Sequence, residues 1–170
     1  MQINPSDIEL LKATPEKLKD LNFNCGDDDL NEFLLKDSFD NLKNNLSVIY
    51  LLKYKYEYIA YFSLSADSIR INEDLEVNYS YYPAVKIGRL AVSEKYQNKQ
   101  VGTIIIWWIK AFCLTIRNNL GIRFISVDAY NNERTITFYK KNLFTELNCK
   151  RTISIPMYLD LNLFNNNKNF

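Results

Sequence analysis

The chain has 170 residues and carries 21 lysines and arginines against 20 aspartates and glutamates, so its formal net charge is +1. Its length fits one domain of roughly 100–200 residues. A composition of 47% apolar and 24% charged residues is typical of an ordinary globular protein. The chain has no histidine, which excludes imidazole-activated serine or cysteine nucleophiles, histidine-ligated catalytic zinc and an imidazole general base.

Charge, cysteine spacing and hydropathy predict a reduced, cytoplasmic protein. The near-zero net charge gives no field that would draw the chain to nucleic acid or to an anionic membrane, although a local basic patch stays open. Cys25, Cys113 and Cys149 lie far apart, which predicts neither a disulfide framework nor a metal site. Residues 1–20 lack the apolar core of a signal peptide. Residues 101–116 are too few for a bilayer, which needs about 20, so no membrane partner is expected.

The first half of the chain predicts strands around one helix. The acidic run at 27–29 precedes apolar residues at helical spacing, and carboxylates suit the first turn of a helix. Two runs rich in β-branched and aromatic residues flank a polar break at 55–57 and predict a hairpin. The predicted elements are strands at 7–13, 47–54, 58–64 and 85–92 and a helix at 28–44.

The second half predicts two helices between strands. One helix is apolar almost all round and is therefore expected to be mostly buried. The predicted elements are helices at 102–117 and 133–141 and strands at 122–129, 144–149 and 153–161. This order indicates a three-layer mixed α/β (α+β) domain with a parallel strand pair near its middle. We predict one domain at 1–163 and an Asn-rich disordered tail at 164–170.

A candidate phosphate site lies where the strand at 85–92 runs through a polar loop into the helix at 102–117. Main-chain N–H groups at a helix N-terminus bind phosphate. Lys99 adds a positive charge, and Gly102 would let an anionic ligand approach the backbone closely. Alone, such a strand-loop-helix unit is more often a plain connection.

The residues of this unit resemble the acetyl-CoA-binding motif of the GNAT superfamily of N-acetyltransferases. That motif is written Q/R-x-x-G-x-G/A and follows a strand reading like R-L-A-V. Arg-Leu-Ala-Val at 89–92 matches this strand, and Gln97 and Gly102 match the motif. Gln100 stands where the family prefers its first glycine. It must therefore supply its N–H without a positive φ, or the loop must differ in geometry.

A second resemblance begins at Asn132 and ends at Phe144. It follows the family segment N-x-x-A-x-x-F-Y-x-x-x-G-F. Thr135 stands in place of the Ala of this segment, and Leu143 stands in place of its Gly. Asn132 and Tyr139 are about two helical turns apart and share one face. We expect them to border one crevice with the loop at 97–103.

A third resemblance points to a GNAT subgroup that includes toxins acting on aminoacyl-tRNA. Residues 23–34 look like its F-x-C/S-G-x-x-x-L-x-x-F/W-L opening, and 59–65 look like its G-Y-Y-x-L-S/A strand with Ala60 in place of Gly. Residues 156–161 resemble its last strand. Together these matches cover 23–161, and their order and spacing carry more weight than any single one.

The resemblance implies a GNAT-like fold, with a mostly antiparallel mixed sheet, a splayed parallel strand pair and helices on both faces. It implies transfer of an acetyl group from acetyl-CoA to a primary amine by direct attack in a ternary complex, without a metal. The backbone of Leu90 and Val92 would polarise the thioester, and Tyr139 would act as general acid. The residues implied to bind acetyl-CoA are Leu90, Ala91, Val92, Gln97, Asn98, Lys99, Gln100, Val101, Gly102, Thr103, Asn132 and Tyr139.

The general base stays open, because Asp67, Glu94 and Asp128 are all candidates by position. Cys113 and Cys149 could be proposed as acyl carriers, but Cys113 falls in an apolar helix that disfavours a thiolate. We therefore predict that these cysteines do not carry the acyl group.

The acceptor also stays open. It could be the α-amine of an aminoacyl-tRNA, or a small-molecule or protein amine, and a non-enzymatic acyl-CoA-binding module is the alternative to an enzyme. An RNA partner would need a basic face. A homodimer is expected from the 14% aromatic content, and an antitoxin would be a separate chain. The basic residues considered are Lys53, Lys55, Arg70, Arg117, Arg123, Arg134, Lys140, Lys141, Lys150 and Arg151.

Overall fold

The structure is a computed structural model that describes residues 3–19, 21–71, 75, 79–147 and 153–164. Within these residues the chain forms seven strands and five α-helices. The strands are β1 (Ile8–Lys12), β2 (Val48–Tyr54), β3 (Glu57–Ile69), β4 (Tyr82–Val92), β5 (Phe124–Tyr130), β6 (Thr145–Glu146) and β7 (Ser154–Asp160). The helices are α1 (Pro15–Leu18), α2 (Asp28–Glu32), α3 (Ser38–Lys43), α4 (Val101–Ile116) and α5 (Glu133–Lys141).

The strands form one mixed sheet in the order β1-β2-β3-β4-β5-β7-β6. β2 pairs antiparallel with both β1 and β3, and β7 pairs antiparallel with both β5 and β6. β4 and β5 are parallel, with Ala84 to Ile87 opposite Phe124 to Val127. From this pairing β4 continues to Val92. The predicted parallel pair within a mixed sheet is therefore confirmed.

The predicted N-terminal helix contains a π-helical turn. Asp27 caps α2 by accepting the N–H of Leu30 at 3.0 Å, as the acidic run suggested. The chain then passes through a π-helical turn at Phe33–Asp37 into α3. The hydroxyl of Ser38, which is fully buried, donates to the Leu34 carbonyl at 2.6 Å. This side-chain bond to the preceding turn competes with the regular helical pattern.

The chain divides into two compact units, each with its own core. The first comprises Met1–Ser65 with Gly88–Ile106, and the second comprises Ala66–Ile87 with Trp107–Phe170. The first core is built from buried residues of the N-terminal segment, β2, β3 and β4: Ala13, Leu18, Leu21, Phe23, Cys25, Phe33, Leu34, Ile49, Leu51, Tyr61 and Ala91. The second contains the edge-to-face pairs of Phe124 with Tyr82 and with Tyr158.

Several predicted boundaries and one burial prediction are wrong. The second hairpin strand runs to Ile69, and over 65–68 partly exposed residues alternate with exposed ones, as the two faces of a strand allow. The predicted strand at 144–149 reduces to Thr145–Glu146, and 148–149 lie outside the described residues, as does the predicted tail beyond Phe164. Helix α4 was expected to be mostly buried, yet Trp107 is 58% and Phe112 41% exposed.

None of the helices that the structure describes is both long and apolar enough to cross a membrane.

Gly88 in β4 leads to a prediction about packing. A Cβ at Gly88 would lie 2.9 Å from Ser63 Oγ. Ser63 is 1% exposed, and its hydroxyl has no hydrogen-bond partner among the described residues. We expect Gly88→Ala to lower the free energy of unfolding by about 1–3 kcal/mol, because overpacking a tight core forces its neighbours apart. Urea unfolding measures this change.

Ser63→Ala provides the control. It removes the unpaired hydroxyl, so alone it should leave stability nearly unchanged, and in the Gly88→Ala background it should restore most of the loss. A double variant no more stable than Gly88→Ala would contradict the packing explanation.

Candidate active site

In the first unit, β4 leads through a short loop to the start of α4. After β4 ends at Val92, a 3-10 turn at Glu94–Tyr96 follows, and α4 begins at Val101. In the part of the chain that the structure describes, the main-chain amides of Asn98 to Thr103 donate to no protein group. The start of α4 therefore presents a run of N–H groups that can donate hydrogen bonds to an anion.

The loop uses a left-handed backbone at two residues that are not glycine. Asn98 has φ 60° and Gln100 has φ 65°. The expectation that Gln100 would avoid a positive φ is wrong, because Gln100 adopts the conformation that glycine would take at this motif position. Gln97, just before them, is extended, with φ −63° and ψ 156°. A residue with a Cβ therefore holds a backbone conformation that glycine adopts most easily.

Leu143, which replaces the glycine of the motif at 132–144, also has a left-handed backbone. It has φ 70°, although it carries a branched side chain that is 56% exposed. Left-handed backbone costs a residue with a Cβ roughly 1–2 kcal/mol. Gln100 and Leu143, which each replace a glycine of the family motifs, therefore both have left-handed backbone in this chain.

Lys99 lies beside the free amides. Its ammonium donates to the carbonyl of Lys95 at 2.6 Å and lies 5.1 Å from the centre of the Tyr96 ring. Lys95 in turn pairs with Glu57 at 2.6 Å, and the Tyr96 hydroxyl donates to the same carboxylate at 2.8 Å. These contacts keep a positive charge next to the run of amides, where it favours an anionic ligand.

The remaining predicted residues of this unit lie on β4, in the loop and at the start of α4, and they differ in burial and in hydrogen bonding. Ala91 is buried, whereas Leu90 and Val92 are partly exposed. The side-chain amide of Gln97 donates to the carbonyls of Val92 at 3.0 Å and Cys25 at 2.8 Å. Val101 is buried and Gly102 partly exposed. Gln97 therefore holds the loop to the end of β4 through side-chain bonds.

In the second unit, Asn132 precedes α5 and Tyr139 lies within it. Asn132 caps the helix, since its side-chain oxygen accepts the N–H of Thr135 at 2.9 Å. Tyr139 is 6% exposed, with its ring centre 5.0 Å from that of Phe138 and 5.2 Å from that of Phe144. Burial raises the pKa of the Tyr139 hydroxyl well above its usual value, so the phenol keeps its proton.

The three candidate bases all have hydrogen-bond partners. The buried hydroxyl of Ser126 donates to Asp67 at 2.5 Å. Asp128 pairs with Lys86 at 2.7 Å. In the first unit, Glu94 accepts a hydrogen bond from the side chain of Asn24 at 3.0 Å. Each of these carboxylates is thus already engaged by another side chain.

Cys113 is fully buried, and desolvation raises its pKa to about 12. A thiol at this pKa carries almost no thiolate near neutral pH and is a poor nucleophile. Cys149 lies outside the described residues. In the described ranges, no group of three or more Cys, Asp or Glu side chains could hold a metal ion.

The basic residues considered for an RNA partner are divided between the units. Lys53 and Lys55 belong to the first unit. In the second, Arg123 pairs with Asp160 at 3.1 Å. Residues 150 and 151 lie outside the described residues. A scattered, solvated distribution of these basic residues, rather than a single basic face, stays the prediction.

The architecture and the loop together define an α/β domain in which main-chain amides without a protein partner among the described residues lie around the start of a helix. Residues 15–143 match the model of the Acetyltransferase (GNAT) family. Because this match covers most of the chain, the protein belongs to the GNAT family of acetyltransferases, and acetyl-CoA is its cosubstrate. The unpaired amides beside Lys99 fit the diphosphate of that cosubstrate. A comparison with curated protein sequences found no match.

Solved structures of toxin-type acetyltransferases share the fold. AtaT complexed with acetyl-methionyl-tRNAfMet is 21% identical, with 93% of this chain and 97% of that chain covered and a TM-score of 0.82. AtaTR bound with AcCoA is 22% identical, with coverages of 94% and 98% and a TM-score of 0.77. A mutant AtaT toxin bound to the C-terminus of the antitoxin AtaR is 22% identical, with coverages of 95% and 99% and a TM-score of 0.77. The predicted GNAT fold is confirmed.

Sequence reasoning missed the residues that hold the loop from outside. Asn24 and Glu57 are far from the loop in sequence, yet both bond to its 3-10 turn. Asn24 lies in the opening run at 23–34 that resembles the toxin subgroup, so the motif marked its position without indicating its contact.

The left-handed loop residue gives a prediction about stability. Gln100→Gly should raise the free energy of unfolding by up to about 1 kcal/mol, because glycine adopts this backbone conformation without a steric cost. Chemical denaturation checks the value.

Leu143→Gly is the matched variant outside the loop and should stabilise by a similar amount, whereas Gln100→Ala should give no gain. If Gln100→Ala stabilises as much as Gln100→Gly, strain is not the cause.

Proposed function

We propose that this protein transfers the acetyl group of acetyl-CoA to a primary amine by direct attack in a ternary complex, and that the amine is the α-amine of an aminoacyl-tRNA. The domain at 1–163 would carry the whole activity. The observation that carries the transferase assignment is the run of unpaired amides from Asn98 to Thr103 within the family motif. The likeness to AtaT in complex with acetyl-methionyl-tRNAfMet supports the acceptor.

The loop residues bind the diphosphate in this proposal. The amides of Asn98 to Thr103 donate to its oxygens, with Lys99 adding charge and Gln97 closing the loop. Asn132 contributes from α5, although its side-chain oxygen already serves the helix cap. The main chain of Leu90, Ala91 and Val92 pairs with the pantetheine arm, and Leu90 and Val92 polarise the thioester carbonyl.

Tyr139 acts as general acid. Acetyl-CoA supplies the acetyl group as a thioester. The acceptor nitrogen forms a bond to the carbonyl carbon, the carbon–sulfur bond breaks, and the sulfur takes the proton of the Tyr139 hydroxyl. The nitrogen loses its own proton to water. Burial keeps the Tyr139 phenol protonated until that moment.

The contacts of the three candidate bases favour an α-amine as acceptor. At pH 7, about a tenth of an α-amine with pKa near 8 is neutral, against about one part in 2,500 of a lysine amine. The chain has no histidine, and Asp67, Glu94 and Asp128 are already bonded to Ser126, Asn24 and Lys86. An acceptor that deprotonates in water without help therefore suits this protein better than a lysine side chain.

Two partners follow as further parts of the proposal. The likeness to AtaT bound to the C-terminus of AtaR supports a separate antitoxin chain. The homodimer stays a prediction, for which the exposed rings of Trp107 and Phe112 on α4 offer apolar surface.

Tyr139→Phe tests the general acid. We expect kcat to fall by about 10²–10⁴-fold, as is typical when a positioned proton donor is lost, while acetyl-CoA still binds. Release of free thiol measures turnover, and calorimetry measures binding. Tyr81→Phe, which removes a hydroxyl from a ring that is 63% exposed, is the matched control and should keep full activity. Equal loss in both variants would exclude this role.

The pH profile tests the acceptor. With an α-amine acceptor, kcat/KM should rise through the amine's own pKa of about 8 and then stay level to about pH 10, since the raised pKa of Tyr139 keeps that acid protonated. A rate that falls again between pH 8 and 10 would contradict the assignment of Tyr139.

Acetylation of purified aminoacyl-tRNA tests the substrate class. Labelled acetyl-CoA should transfer its acetyl group to aminoacyl-tRNA and not to the same tRNA with its α-amine blocked. The tRNA KM should rise steeply between low and moderate salt, because phosphate contacts release counterions. Efficient, salt-insensitive acetylation of small amines with none on tRNA would favour the alternative acceptor, and cosubstrate binding without any turnover would favour the non-enzymatic module.

A further inference from the structure

We propose that Asn24, Glu94 and Gln97 are positioning residues that fix the acetyl-CoA loop in its binding conformation. We call their contacts the loop anchor. The inference rests on the proposed role of the amides at Asn98–Thr103. Those amides have no protein partner among the described residues, so their direction depends on how the preceding residues of the loop are held.

Gln97 joins three parts of the first unit. Its side-chain nitrogen donates to the carbonyl of Val92, the last residue of β4, at 3.0 Å. The same nitrogen donates to the carbonyl of Cys25 at 2.8 Å. One primary amide thus uses both of its protons to tie the residue before the free amides to the strand end and to the N-terminal segment.

Glu94 and Asn24 form a two-way contact at the start of the loop. The N–H of Glu94 donates to the carbonyl of Asn24 at 3.1 Å, and the Asn24 side chain donates back to the Glu94 carboxylate at 3.0 Å. Gly26 makes room for this contact, since a Cβ there would lie 2.8 Å from a carboxylate oxygen of Glu94. Gly26 also has φ +79°. Two separate constraints therefore require glycine beside the anchor.

The anchor is itself fixed to helix α2 through Asn31. The side-chain oxygen of Asn24 accepts the side-chain N–H of Asn31 and the main-chain N–H of Gly26, both at 2.9 Å. The side-chain oxygen of Asn31 accepts the N–H of Cys25 at 3.0 Å and its thiol at 3.2 Å. These bonds hold the segment Asn24–Gly26 in one conformation, so it is a defined surface for the loop to bind.

The position of the anchor explains why it would act on binding. It grips Glu94 and Gln97, immediately before the amides that face the ligand. Donors that are fixed in advance bind an anion without losing conformational entropy on binding. Releasing the grip should therefore weaken acetyl-CoA binding while the rate at saturating acetyl-CoA changes little.

Gln97→Met is the first test, because methionine has a similar shape and cannot donate to the two carbonyls. We expect the Kd and KM for acetyl-CoA to rise about tenfold, the ratio that corresponds to the net loss of about one hydrogen bond. We expect kcat and the acceptor KM to stay within about threefold. Gln97→Arg, which restores donors, should recover most of the affinity.

Asn24→Ala is the second test and keeps the inference falsifiable if Gln97→Met does not fold. It should raise the acetyl-CoA KM in the same way, and combining it with Gln97→Met should add less than the sum of the single effects. Asn22→Ala, a change at an exposed asparagine two residues earlier, is the matched control and should leave every constant unchanged.

The outcomes separate this inference from the proposed function. If the wild-type protein binds and turns over acetyl-CoA while the variants lose only melting temperature, with an unchanged acetyl-CoA KM, the anchor is merely structural and the inference is overturned. If the wild-type protein does not bind acetyl-CoA, the proposed function fails and this inference fails with it.

Discussion

The structure depends on a set of main-chain amides that the protein leaves without partners. An unpaired N–H group is costly when it is buried, and folded chains pair nearly all of them. Apart from Val101, the residues from Asn98 to Thr103 are at least partly exposed, so water can bind their N–H groups. The last three lie in the first turn of α4, where the helix cannot pair them. The residues around this loop fix its position through hydrogen bonds. β4 leads into this loop, and side chains of Gln97, Asn24 and Glu57 hold the residues just before the amides through hydrogen bonds.

Chemistry in a chain without histidine places unusual weight on the acceptor. A phenol whose pKa is raised by burial can donate a proton but cannot act as a base near neutral pH. The carboxylates that could accept a proton are already bonded to Ser126, Lys86 and Asn24. In the proposed mechanism the protein contributes binding, polarisation of the thioester and one acid, and the acceptor amine loses its proton to water.

Much of the fold could be predicted from residue periodicity and from motif order. Helix α5 was predicted with the bounds it has, since Asn132 is a strong cap and the apolar spacing that follows is helical. The hairpin and the parallel pair followed from β-branched runs and from the order of the elements. Such signals are local, and the backbone obeys them wherever packing does not conflict.

The rest could not be predicted because it depends on contacts between distant residues. Nothing local in Gln100 or Leu143 indicates a left-handed backbone, which the surrounding structure imposes. The π-helical turn after Glu32 arises where two buried residues must face the core in succession. Likewise, Asn24 is separated from Glu94 by 70 residues, and only the folded chain brings their side chains together.

The contact between Lys95 and Glu57 has a consequence for how substrate binding can be interpreted. Both side chains are at least half exposed, so dissolved ions screen their attraction. Glu57 has a lowered pKa, owing to its hydrogen bonds from Lys95 and Tyr96, and so the pair persists until the solution becomes strongly acidic. Ionic strength, rather than acidity, is the variable that loosens this side of the loop. A weaker response to tRNA at high salt could then reflect a looser cosubstrate site, and each salt concentration needs its own acetyl-CoA saturation curve.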